Sequence, residues 1–122
     1  MKIVPITAEH VAAVGGEPIP VTLIGGVAVV EDDKCLGIGC IFLGEGCQVV
    51  ASRITIEGRR LLAAGRGHRE LLRAARATMA AAATRNLPTY AQADTNIEGA
   101  CRLLLHLGFV PYQRGIYQWQ TP

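Results

Sequence analysis

The chain has 122 residues, half of them hydrophobic and 18% charged. That balance suits one packed domain over residues 1–122 and excludes a disordered tail or a second full core. A formal net charge of +2 is too small to demand a polyanionic partner, and no run approaches the roughly 18 apolar residues that cross a bilayer.

Lys2 to Ile6 reads as a short strand. Met1-Lys2-Ile3-Val4-Pro5 leads into no apolar secretory stretch, so a cytoplasmic protein is expected. Thr7 is placed to cap a helix of one or two turns that ends near Gly15-Gly16. Glu17-Pro18-Ile19-Pro20 is a stiff connector that no helix can occupy.

From Val21 the chain turns β-branched and apolar. Val21 to Val30 and Cys35 to Leu43 flank the polar turn Glu31-Asp32-Asp33-Lys34, and Cys47 to Ile56 follows after Gly44-Glu45-Gly46. Three strands joined by short turns predict an antiparallel meander. Gly25-Gly26 within the first arm marks a bulge or a break.

Arg59 to Arg85 contains no proline and is dominated by alanine and leucine, so a long helix is expected over about residues 60–85. Leu72, Ala75, Met79 and Ala82 form its apolar stripe, with Arg69, Arg73 and Arg76 on another face. Gly65 and Gly67 interrupt its first part and allow a start near Gly67. Asn86-Leu87-Pro88 ends it.

Thr89 to Ala93 alternates as a strand, and Thr95 with Glu98 has capping-box spacing. A second helix is expected from about Ile97 to Leu107, stopped by Gly108. Val110–Gln113 and Ile116–Gln120 then close as a hairpin around Arg114-Gly115. A strand–helix–strand step among antiparallel pairings predicts a mixed, mostly antiparallel α/β (α+β) sheet, with a long central helix and a shorter C-terminal helix packed on it.

Cys35, Cys40, Cys47 and Cys101 form no paired C-x-x-C units, so no metal site is expected and the thiols read as reduced and mostly buried.

The element order, together with Asn96-Ile-Glu-Gly-Ala-Cys-Arg-Leu-Leu-Leu-His-Leu-Gly-Phe109, resembles the second half of a domain of the GNAT superfamily of N-acetyltransferases. The likeness runs from about Cys47 to Trp119. The short front end and arginine-rich helix are similar to small GNAT-like proteins of tailed bacteriophages, some of them regarded as virion or assembly proteins.

The resemblance implies acetyl-CoA as cofactor and an amine acceptor, with an open acceptor site suited to a protein or peptide. It assigns pantetheine to the backbone of Ile54, Thr55 and Ile56 and to Asn96, and the pyrophosphate to the loop Gly65, Arg66, Gly67 and His68. Backbone N–H donors at a helix start favour an anion there. The superfamily's acid tyrosine falls at Leu104, which carries no proton, and its loop Arg or Gln falls at Leu62. No catalytic residue is assigned. Glu45 and Glu57 are the carboxylates near the central strands, and Tyr112 and His106 are alternative acids. Three readings stay open: an N-acyltransferase, a catalytically silent GNAT-like assembly protein, and a nucleic-acid-binding module on the arginine face, against which the small net charge counts. Homo-oligomerisation is left open.

Overall fold

The computed structural model describes residues 1–15, 23–92 and 99–120. The connector at Glu17–Pro20, the Thr95/Glu98 box and Asn96 lie outside the described residues.

The order is β1 (Lys2–Pro5), α1 (Ala8–Val14), β2 (Leu23–Glu31), β3 (Lys34–Leu43), β4 (Gln48–Ile54), α2 (Ile56–Ala63), α3 (His68–Ala83), β5 (Thr89–Gln92), α4 (Ala100–His106), β6 (Phe109–Gln113) and β7 (Ile116–Trp119). The strands form one sheet in the order β1-β2-β3-β4-β5-β7-β6. β4–β5 is its parallel pair and every other pairing is antiparallel. The mixed, mostly antiparallel sheet carrying a longer and a shorter helix is the class expected.

Local chemistry explains most boundaries. Thr7 caps α1 through its hydroxyl, and the His10 ring takes the return bond from the Thr7 N–H, at 3.1 Å. Asp32 and Asp33 both adopt positive φ, 50° and 62°, which twists the β2–β3 turn the way a two-residue hairpin requires. Gly26 has φ 148°, and a Cβ there would run into the Gly39 carbonyl. The register shift between Leu23 and Gly25 is the irregularity that the glycine pair announced.

One expectation needs correction. The long helix over residues 60–85 is two helices, and the strand expected to reach Ile56 stops at Ile54. Thr55 causes this. Its hydroxyl accepts the Gly58 N–H at 3.0 Å and starts α2. Gly58 is needed because any side chain there would meet the Leu36 carbonyl. Gly65, at φ 82°, then stops α2.

The core has two parts on opposite faces. Under α3 and α4 lie Ile41, Val50, Met79, Ala82, Ala91 and Phe109. Under α1 lie Ala28, Ile38 and Cys40. Gly108 and Phe109 make the expected corner after α4, locked by the Trp119 indole N–H donating to the Leu107 carbonyl at 3.0 Å.

Candidate functional site

The site begins with how β4 ends. Among the described residues its parallel ladder with β5 has three rungs, the last at Val50–Ala91, and β4 continues to Ile54. Along an antiparallel pair the backbone groups face the partner strand at every second residue. Thr55 donates its N–H to Leu36 of β3 at 2.9 Å, while Gln48 donates the other way, to Pro88, at 2.9 Å. The alternation therefore turns the N–H and C=O of Ser52 and Ile54 away from β3. Among the described residues no strand pairs with them. The last described residue of β5 is Gln92, so within the described residues Ser52 and Ile54 form an unpaired stretch of β4.

Of the three nominated backbones, only that of Ile54 turns its N–H and C=O away from β3 within the strand. The Thr55 N–H is committed to Leu36, and Ile56 lies in α2 with its side chain 72% exposed. Ser52, which sequence reasoning missed, takes their place. Its signal was available in principle, two residues before Ile54 in an alternating strand.

The nominated loop differs from a free anion cradle. Gly65 donates to the Leu62 carbonyl at 3.0 Å and Arg66 donates to the Leu61 carbonyl at 2.8 Å. These two bonds, with Gly65 left-handed, are the C-terminal stop of α2, so two of the loop's N–H groups are already used. Gly67, at φ 91°, precedes α3 without a side-chain cap, and its carbonyl accepts from Leu71 at 2.9 Å. The first-turn N–H groups of α3, His68 among them, have no side-chain cap and remain the loop's free donors among the described residues. The Arg66 guanidinium is drawn to Glu31 at 3.2 Å.

Beneath Gly67 is a hollow of about 40 Å³, lined by Val29, Leu36, Ile54, Leu61, Leu62 and Leu71 with Arg66 at its edge. Small-molecule pockets run to roughly 300–1,000 Å³, so this one does not house a pantetheine arm.

Tyr117 lies on β7, on the row of the last described β4–β5 rung. It pairs with Ala91, which in turn pairs with Val50 on the last β4–β5 rung. Its hydrogen bond to Cys101, with loss of hydration second, pushes the Tyr117 phenol above its ordinary range. Leu104 packs against the core on the same face. Tyr112 stands on the edge strand β6, half-exposed, with its ring 5.2 Å from that of Tyr90. His106 is exposed in the last turn of α4. Glu57 pairs with Lys34 at 3.8 Å in solvent, and Glu45 is exposed in the β3–β4 turn. Ser52 and Ile54 lie together on β4, while Tyr117 lies two strands away on β7, packed against the Ile41 cluster.

All four cysteines are free. Among the described residues no cluster of three or more His, Cys, Asp or Glu could hold a metal, and no helix is long and apolar enough to cross a membrane. No family model, curated protein or solved structure matches the chain.

Proposed function

We propose that this chain is a GNAT-like domain that binds the acyl-pantetheine arm of acetyl-CoA along the open edge of β4 and transfers the acyl group to an amine. One observation carries the reading: among the described residues the last β4–β5 rung is Val50–Ala91, while β4 runs on to Ile54. An amide-rich arm can add itself to such an edge as a further strand does, through backbone hydrogen bonds. Ser52 and Ile54 supply the donors and acceptors. The first turn of α3, at the end of β4 where Ile54 and Gly67 line one hollow, favours the phosphates.

In this reading the attacking amine expels a thiolate, and Tyr117 rather than Leu104 protonates it. A phenol raised above its ordinary range stays protonated at neutral pH, so the proton is in place when the thiolate leaves. Asn96 lies outside the described residues and is given no role. The acceptor would be a protein or peptide amine.

The test is the melting temperature with and without acetyl-CoA. A ligand at 100 times its Kd stabilises the fold by about 2.7 kcal/mol, a shift of several degrees for a domain this size. Ser52→Pro removes the N–H on the open side of β4 and should abolish the shift while the protein stays folded. Tyr117→Phe should keep the shift and lose about a hundredfold in turnover. No shift in the folded wild-type protein would sink the reading.

A second reading has its own support. The loop donors spent on stopping α2, and a leucine at position 104, suit a GNAT-like fold kept as a silent assembly protein. Stabilisation by acetyl-CoA separates the two.

A further inference from the structure

The charge of this protein is unevenly placed. Residues 59–85 contain seven arginines, Arg59, Arg60, Arg66, Arg69, Arg73, Arg76 and Arg85, against a single acid, Glu70. The formal +2 for the whole chain therefore conceals a basic α2–α3 layer balanced by acids elsewhere. The tip of the β2–β3 hairpin, Glu31-Asp32-Asp33, holds part of that balance.

The fold puts Arg69, Arg73 and Arg76 together. α3 buries Ala74, Thr78, Met79 and Ala82 against the sheet. At 100° per residue, the three arginines fall on the opposite side. All three are exposed, and among the described residues none has an acidic partner, in contrast to Arg66 on Glu31. With a rise of about 1.5 Å per residue, they span roughly 10 Å along the helix. Past Arg76 the outer side of the helix continues with small residues, Ala77 and Ala80, so nothing bulky holds a rod-shaped partner away at that end.

We propose that the outer face of α3 is a docking surface for the phosphate backbone of double-stranded nucleic acid, gripped by Arg69, Arg73 and Arg76. Guanidinium forks match phosphate oxygens bidentately, which an ammonium does not, and the stripe is all arginine. α3 contains no aromatic residue, so bases find nothing there to stack on, which favours a duplex over a single strand. With the three arginines engaged on phosphates, binding is indifferent to sequence. This inference is independent of the acyl-transfer reading, because the stripe lies on the solvent side of α3 and the β4 edge belongs to the sheet.

The experiment is fluorescence anisotropy of the full chain on a labelled DNA duplex of about 24 base pairs, across a salt series. Three phosphate contacts predict a slope of log K against log salt of about −2.7, a loss of about forty-fold between roughly 50 and 200 mM salt. Each of Arg69→Gln, Arg73→Gln and Arg76→Gln should flatten the slope by about one, with circular dichroism unchanged. Should the triple variant misfold, the three single variants carry the test. Failure to bind at low salt, or an unaltered slope in the folded variants, overturns the proposal. So does displacement by equimolar CoA, which would assign the stripe to a nucleotide. Tighter binding of polyglutamate than of the duplex would assign it to an acidic protein and overturn it equally.

Discussion

Gly39 of β3 and Thr78 of α3 meet so closely that a Cβ on Gly39 would stand 2.6 Å from the Thr78 Oγ. The Thr78 hydroxyl is held by its own bond to the Ala74 carbonyl at 2.9 Å. α3 therefore rests on bare β3 backbone, which fixes the height of its first turn above the sheet and so the position of the loop beside β4.

Gly39→Ala should destabilise the protein by about 1–3 kcal/mol through overpacking, read as a lower denaturation midpoint at unchanged m. Adding Thr78→Ala should recover part of that loss, because neighbours in contact are coupled. Simple additivity of the two substitutions would contradict the contact.

Gln48 ties β4 to the end of α3. It is 1% exposed, and its amide N–H groups donate to the Ala82 carbonyl and, at 2.9 Å, to the Thr89 hydroxyl. Its Oε1 has no partner. Gln48→Glu should be strongly destabilising at neutral pH, since a buried carboxylate would face a carbonyl. Burial raises the folded pKa of such a carboxyl above its unfolded value of about 4.3. The folded state then holds the extra proton, so the deficit should be small below pH of about 4 and grow as pH rises. A deficit independent of pH would contradict the burial.

Gly65→Ala should cost about 1–2 kcal/mol, because an L-residue is strained at φ 82° whatever the space around it. Cofactor affinity should be unchanged, since the Gly65 N–H already serves Leu62. Thermal shift by acetyl-CoA on the variant checks both halves. A large fall in affinity would return Gly65 to the phosphate site.

The thiols should separate by reactivity. Burial pushes the Cys40 thiol up from its ordinary 9.0, partly offset by Arg53, and burial likewise raises Cys35. Cys101 is exposed and should react first with a disulfide reagent at neutral pH, with Cys40 last. Because the folded pKa values are raised, these two thiols add stability below the unfolded value near 9.0, and it is lost as pH rises through the folded values. A denaturation series from pH of about 8 to 10.5 should show the decline.

Much of this fold is legible in the chain. Alternating apolar residues, Thr7 as a cap, the Gly108-Phe109 corner and the strand–helix–strand step give the elements, their order and the mixed sheet. Local conformational preference and burial periodicity act over a few residues, so they survive without an alignment. The division of the long helix was half visible, in Gly65 and Gly67. What hid it was the strong helix propensity of Arg59 to Ala64, which belongs to a real but separate helix.

By itself the sequence determined which segments are strand and which are helix, where glycine must turn the chain, and that one helix face is lined with arginine. Only the tertiary structure decided that, among the described residues, the last β4–β5 rung is Val50–Ala91, that the Thr55 and Gly65 N–H groups are already bonded, and that Tyr117 pairs with Ala91. Those facts depend on strand register and on which donors are spent. Both are set by contacts between segments far apart in the chain, such as Thr55 with Leu36, and no local pattern encodes them.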